Sequence, residues 1–209
     1  MDANVLVGIP CGSHSISCAV VEDLFEAVKP YDVSVRFSYG YEVDVNRNKL
    51  CKAALDGGYS HVLFVDSDVR LPAGALQNLL QWNEGIVFGY YAHHGQSKWD
   101  GSTTSLCKPE QIGYSELYTI EELRKMANRG RSKIDIAGGG MGCALISAEV
   151  LKKVKTPWFH YRDRRTGDLS EDYWFCSQCK MEGFRIFADL RVACQHGVET
   201  WEKLDMDWS

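Results

Sequence analysis

The residues of this chain best suited to chemistry are its grouped carboxylates. Asp66 and Asp68 flank Ser67 directly after the apolar run His61-Val62-Leu63-Phe64-Val65. Residues two apart in an extended chain project to the same side, so the two carboxylates point the same way. Placing two like charges together beyond a buried strand is costly unless a cation compensates. A divalent cation held there could neutralise the charge that develops on a departing diphosphate. The alternative is a capped turn, in which aspartate accepts backbone hydrogen bonds. His196 closes the apolar segment Val192-Ala193-Cys194-Gln195, where its imidazole could complete the cation site or serve as a hydrogen-bonded structural residue. Carboxylate plus imidazole points to Mn²⁺ first, with Mg²⁺ next.

A second pair, Glu171-Asp172, follows Ser170 at a predicted helix start. An acceptor hydroxyl must lose its proton as it attacks, and Asp172 in a rigid first turn is a candidate general base. Equally, both carboxylates could act only against the helix dipole, worth under about 1 kcal/mol each when exposed.

The elements that would position these groups alternate between strand and helix. Asn4 to Ile9 reads as a buried strand, followed by a helix capped by Ser13 or Ser15 and running to Val28. Val33 to Phe37 and then Asn46 to Leu55 form a second strand–helix pair, and His61 to Val65 a central strand buried on both faces. Pro72 is expected in the first turn of a helix through Leu76, Leu79 and Leu80, before a strand at Gly85 to Tyr90. The segment from Ala92 to Gly130 reads as an irregular excursion with one helix, Ile120 to Asn128. Strand Ile134 to Ile136, a continuation at Met141 to Ile146, a helix from Ala148 to Val154, the Ser170 helix ending before Gly183, and strands at Phe184 to Ala188 and Val192 to His196 complete the pattern. This predicts a mixed, mostly parallel α/β sheet with helices on both faces.

With 209 residues, the chain is long enough for one self-sufficient domain. We divide it into a nucleotide-binding half (1–91), an acceptor and catalytic half (92–196) and a tail (197–209). Acidic residues outnumber basic ones, 28 against 23, which disfavours broad polyanion binding, so no nucleic-acid partner is expected. The cluster Arg162, Arg164, Arg165 could still hold one diphosphate. No apolar stretch approaches the roughly 18 residues of a membrane span, and the start lacks a signal-peptide pattern. A cytoplasmic location is therefore expected. Eight cysteines sit mostly within apolar segments and read as buried, reduced thiols.

The order strand-Asp66-Ser67-Asp68, then Gly138-Gly139-Gly140-Met141-Gly142, then Ser170-Glu171-Asp172-Tyr173-Trp174-Phe175, then Gly183-Phe184-Arg185-Ile186, then His196 resembles GT-A fold glycosyltransferases, particularly the family-2-like group. The resemblance spans Val5 to His196. It implies a Rossmann-like GT-A domain that transfers a sugar from a nucleotide-diphosphate sugar, UDP-sugar first and GDP-sugar second, to a hydroxyl on a glycan, lipid or protein. It further implies Asp68 as metal ligand, Asp66 at the ribose or metal, His196 as late metal ligand, and Asp172 as base of an inverting displacement, with Glu171 contacting acceptor or helix. Pro10 and Cys11 would lie along the nucleotide base, Asp44 at base or ribose, Arg47 and Asn48 toward the donor, Ser67 within the aspartate motif, and Gly139 and Gly140 beside the sugar pocket. Trp99, Trp158 and Tyr161 could stack on sugar faces. The usual longer C-terminal region is missing from this sequence, so further domains of a longer polypeptide could assist acceptor choice.

Three other readings compete. A sugar-phosphate nucleotidyltransferase would use a similar sheet and metal, but the loop Pro10-Cys11-Gly12-Ser13-His14 lacks a cationic grip for triphosphate. A thiol or zinc protein is suggested by Cys176, Cys179, His93 and His94, without a second pair at finger spacing. A sugar-nucleotide binder without turnover is the third.

Overall fold

The computed structural model describes residues 3–12, 15–92, 103–110, 112, 116–161 and 169–197. In chain order the elements are β1 (Val5–Cys11), α1 (Cys18–Val28), β2 (Val33–Tyr39), α2 (Val43–Asp56), β3 (His61–Val65), β4 (Val69–Arg70), α3 (Ala75–Leu80), β5 (Ile86–Tyr90) and β6 (Thr103–Cys107). There follow β7 (Leu117–Thr119), α4 (Ile120–Asn128), β8 (Lys133–Ile136), β9 (Gly138–Gly139), β10 (Cys143–Ser147), α5 (Ala148–Lys153), α6 (Glu171–Met181), β11 (Ile186–Ala193) and β12 (Gln195–His196).

A seven-stranded sheet in the order β2-β1-β3-β10-β5-β11-β8 forms the centre. The β1–β2, β1–β3 and β5–β11 pairs are parallel, whereas β10 runs antiparallel to both neighbours and β8 antiparallel to β11. Five strands thus share one direction, which is the mostly parallel arrangement that the alternating pattern predicts. The period of two divides each strand between two cores. Leu6, Val62, Phe64 and Phe88 pack with Leu50 and Ala54 of α2 on one face. Val5, Val7, Ile9 and Leu63 pack with Leu24 of α1 and Leu76 of α3 on the other. β3 is buried on both faces, and its four residues from Val62 to Val65 have no exposed surface.

Several boundaries differ from the sequence expectation for identifiable reasons. α1 is capped by Ser17, whose hydroxyl accepts from Ala19 N at 3.3 Å, and not by Ser13 or Ser15. α3 begins only at Ala75, because left-handed Gly74 (φ 70°) ends the loop that Pro72 enters. The Ala92 to Gly130 excursion carries β6 and β7 besides α4, and these form a small sheet with β9. The polar Thr104 and Ser105 of β6 are buried, so a composition typical of loops conceals a strand. The last two expected strands are replaced by β11, running through Asp189, and the short β12. Asp189 stays inside β11 because its buried carboxylate accepts from Trp82 Nε1 at 2.7 Å and pairs with Arg191 at 2.6 Å.

Gly89 of β5 lies where Cys143 and Val192 of the flanking strands converge. A Cβ there would stand 2.7 Å from both Cys143 Sγ and Val192 Cγ1, and 2.9 Å from the Val192 carbonyl oxygen. Overpacking of this kind costs about 1–3 kcal/mol. Gly89→Ala should therefore lower the urea midpoint by that amount of stability, with an unchanged m-value.

Candidate active site

The carboxyl ends of β1, β3 and β5 open on one edge of the sheet, and antiparallel β10 starts there, since Cys143 pairs with Val65. α6 brings its first turn to the same edge. Arg47 projects from α2 into this junction with a side chain only 2 % exposed. Its Nη2 donates to both oxygens of Asp66, at 2.8 and 3.1 Å, and its Nη1 donates to Glu171 and to Asp172. One guanidinium thus gathers three carboxylates from two separate segments, with the Phe159 ring centroid 5.9 Å from its Cζ.

This arrangement gives the two α6 carboxylates different character. Burial works against the charge of Glu171, but Arg47 and hydrogen bonds from Asp172 and Tyr161 outweigh it and hold the carboxyl below its usual range. For Asp172, burial raises the pKa, Arg47 opposes it only in part, and the charges of Glu171 and Asp66 push it further, well above an ordinary aspartate. Its Oδ2 accepts from Met141 N at 3.2 Å, which fixes the carboxyl plane. An ionised neighbour beside a carboxyl of raised pKa is an arrangement suited to proton transfer.

Asp68 and His196 meet through β12, which pairs with β4 so that His196 lies opposite Val69. His196 Nε2 is 3.5 Å from Asp68 Oδ2, and Nδ1 is 3.3 Å from the Ala92 carbonyl oxygen. A carbonyl only accepts, so Nδ1 carries a proton in that bond and Nε2 is the nitrogen turned toward Asp68. Burial lowers the basicity of His196, but Asp68, the Ala92 carbonyl and Asp66 together raise it above the usual range. The His196 ring also lies 4.9 Å from that of Tyr91, which sequence reasoning did not single out. The Tyr91 hydroxyl accepts from Gly142 N at 3.3 Å, and burial, then the charges of Asp66 and Asp172, push its pKa well up.

The expected metal set Asp66, Asp68 and His196 does not close as three ligands. Among the described residues no group of three His, Cys, Asp or Glu side chains surrounds one cation position. Asp66 is turned to Arg47, while Asp68 remains about half exposed beside His196. The Asp66-Ser67-Asp68 segment is indeed a turn, closed by the main-chain bond from Val69 N to the Asp66 carbonyl at 3.1 Å, with Ser67 half-buried.

The remaining predicted residues divide. Pro10 and Cys11 end β1 at this edge, both buried, and burial together with Asp66 raises the Cys11 thiol pKa. Arg47 does not lie open toward a donor, because its guanidinium is consumed by the carboxylates. Asn48 is a structural staple: its Nδ2 donates to the Asp44 and Phe159 carbonyls at 2.8 and 2.7 Å, and its Oδ1 accepts from Phe159 N at 3.2 Å. Asp44 is buried in the first turn of α2, which starts one turn earlier than its apolar spacing predicts. Gly139 and Gly140 make room for protein: a Cβ on Gly140 would stand 2.2 Å from the Tyr91 hydroxyl, and one on Gly139 would meet Phe88 and Leu106 at 3.0 and 3.1 Å. Trp158 is buried and donates to the Leu151 carbonyl at 2.8 Å, whereas Tyr161 joins the carboxylate cluster through Glu171. Cys176 and Cys179 are buried within α6 as free thiols. Ser13, His14, His93, His94, Trp99, Arg162, Arg164, Arg165 and the tail 198–209 lie outside the described residues.

No protein-family profile and no curated protein matches the sequence. Solved structures do. The crystal structure of A197 from STIV superposes with a TM-score of 0.68 at 20 % identity, covering 94 % of this chain and 86 % of that one. The crystal structure of GalNAc-T7 with UDP, GalNAc and Mn²⁺ superposes with a TM-score of 0.59 at 10 % identity, covering 96 % of this chain and 45 % of that one. At these identities the likeness establishes the fold: a mixed α/β domain of the GT-A, Rossmann-like type. Among the described residues no helix is long and apolar enough to cross a membrane.

Removing one partner from a buried charge cluster leaves the others uncompensated, at a cost of about 3–5 kcal/mol. Arg47→Met should cost that much near neutral pH. Glu171 contributes in the normal chain through a lowered pKa, so its stabilisation is complete above the unfolded-state value and lost as pH falls through the folded one. In Arg47→Met that contribution disappears, and protonation relieves the carboxylates. The stability difference between variant and normal chain, measured by denaturant titration, should therefore narrow as the pH is lowered through the carboxylate range.

Proposed function

We propose that this chain is a glycosyltransferase that moves a sugar from a nucleotide-diphosphate sugar, UDP-sugar first, to a hydroxyl of a glycan or glycoconjugate acceptor. The observation that carries the reading is the junction of two carboxylate pairs at the strand ends of a GT-A sheet: Asp66 and Asp68 after β3, with Glu171 and Asp172 opening α6. In open α/β sheets ligands bind outside the carboxyl ends of the strands. The structural neighbour GalNAc-T7, crystallised with UDP, GalNAc and Mn²⁺, supports a donor and metal of the same class.

Asp68 and His196 fit a divalent cation. Two ligands on one ion, each about 2.1 Å from it, stand roughly 3.0–3.4 Å apart, close to the 3.5 Å separation here. The Ala92 carbonyl accepts from Nδ1 and so fixes the ring orientation and leaves Nε2 as the nitrogen able to bind a metal, as metal-binding histidines usually require. With two side-chain ligands, diphosphate oxygens and water would complete the shell, and Mn²⁺ suits this mixed set better than Mg²⁺. A bound cation supplies charge stabilisation for the departing diphosphate. Asp172 takes the proton of the attacking hydroxyl, Glu171 stays ionised against Arg47 and Tyr161, and Arg47 and the Met141 N–H hold Asp172 in place. A positioned base suits direct displacement, and so inversion.

The decisive measurement is a thermal-shift panel of UDP-, GDP- and dTDP-sugars with and without Mn²⁺, because a ligand that binds only the folded state raises its stability. A Mn²⁺-dependent rise with one of them is expected, and no rise with any would remove the donor assignment. Release of pyrophosphate from nucleoside triphosphate and sugar phosphate would instead favour a nucleotidyltransferase.

For the same donor, Asp172→Asn should lower transfer by about 10²–10⁴-fold while donor binding persists. The rate should fall as pH drops through the raised pKa of Asp172, so its acid limb should lie above the ordinary aspartate range of about 4. Asp68→Ala should remove the Mn²⁺-dependent donor binding.

A further inference from the structure

The side chain of Tyr91 lies between the two halves of the candidate site and touches both. It follows β5 directly, and its main chain is tied to β6, where Ser105 N donates to the Tyr91 carbonyl at 2.9 Å. The residue is buried, at 5 % exposure. On one side it forms part of the seat of His196. The Tyr91 ring stands 4.9 Å from the imidazole at an interplanar angle of 52°, and the next residue, Ala92, provides the carbonyl that accepts from Nδ1 at 3.3 Å. One residue thus sets the face of the imidazole and the following one sets its Nδ1 edge, which directs Nε2 toward Asp68 at 3.5 Å.

On the other side, the Tyr91 hydroxyl holds the backbone that leads into β10. Gly142 N donates to it at 3.3 Å, Gly140 N donates to the Ser105 carbonyl at 3.0 Å, and Asp66 N donates to the Gly142 carbonyl at 3.2 Å. These bonds flank Met141, whose own N–H donates to Asp172 Oδ2 at 3.2 Å. The fit is close, since a Cβ on Gly142 would stand 2.9 Å from Tyr91 Cε1. A phenol suits both tasks because it joins a flat apolar face to a hydrogen-bonding tip.

We propose that Tyr91 is a positioning residue for both sides of the site: its ring fixes which nitrogen of His196 faces Asp68, and its hydroxyl fixes the main chain that orients Asp172. The consequence for catalysis rests on the transfer reaction proposed above, whereas the two placements belong to the folded chain and can be measured without donor or metal. Two substitutions separate them. Tyr91→Phe removes the hydroxyl and keeps the ring, and Tyr91→Leu removes both.

Residues that orient a metal ligand typically change metal affinity or activity by about 10–100-fold when replaced. In the full chain, Tyr91→Phe should speed hydrogen exchange of the Gly142 amide and lower kcat of transfer about 10-fold at constant KM for the donor, with Mn²⁺ affinity, read from the EPR signal of the free ion, unchanged. Tyr91→Leu should do the same and also weaken Mn²⁺ binding about 10–100-fold. In ¹⁵N spectra at alkaline pH, where the imidazole is neutral, His196 should show a single tautomer with its proton on Nδ1 in the normal chain and in Tyr91→Phe, and a tautomer mixture in Tyr91→Leu. A purely structural role would lower thermal stability in both variants without this division. Equal losses in the two variants, or a Gly142 amide and a His196 tautomer that neither disturbs, would overturn the proposal. If the normal chain transfers no sugar yet the spectra divide as expected, the glycosyltransferase reading fails and the placement by Tyr91 stands.

Discussion

The geometry of the candidate site depends on one buried cation. Arg47 is fixed by α2 and stands behind the carboxylates, so its charge is available to all three at once and to solvent hardly at all. Low dielectric strengthens each of these contacts and makes each expensive to lose. Because Asp66 belongs to a strand end and Glu171 and Asp172 to a helix start, the guanidinium sets the distance between the two elements as well as the ionisation of their side chains. Three carboxylates on one guanidinium still leave the cluster with an excess of negative charge, to which Asp68 adds. That excess is what a divalent ion at the rim would meet.

The inverted strand β10 has the complementary role. A fully parallel sheet would bring only carboxyl ends to this edge. Antiparallel insertion between β3 and β5 brings an amino end as well, so the glycine-rich approach to β10 places main-chain N–H groups there. Met141 N holds Asp172, Gly142 N holds the Tyr91 hydroxyl, and the Gly142 carbonyl accepts from Asp66 N at 3.2 Å. Gly140 and Gly142 are required because Tyr91 fills the space that their side chains would occupy, which makes the tyrosine and these two glycines one packing unit.

The fold was largely legible because buried strands announce themselves by continuous apolar runs, as in β3, and the helix expected at Ile120 to Asn128 is α4, which the structure shows closed by a Thr119–Glu122 capping box. What escaped was long-range. Nothing in the spacing of Thr103 to Cys107 distinguishes a strand from a polar loop until Tyr91 and Gly140 supply its hydrogen-bond partners. The carboxylate pairs stood out in the sequence because each sets two like charges at the end of a strand or the start of a helix, yet the group that gathers three of them did not. Arg47 sits in a helix of ordinary composition, and a surface arginine there would look identical in sequence. The same holds for Asn48, whose bonds to Phe159 span 111 positions. His196 beside Asp68 depended on a two-residue ladder too short to carry a pattern of its own.

The distribution of sulfur has a practical consequence. Of the eight free cysteines, seven are sealed inside the protein and one, Cys18 at the first turn of α1, is open to solvent. A maleimide fluorophore added to the native, folded chain would therefore attach at a single address, giving a homogeneous optical probe without any engineered mutation. Unmasking of the other seven sulfhydryls would then count, molecule by molecule, the fraction of protein that has opened.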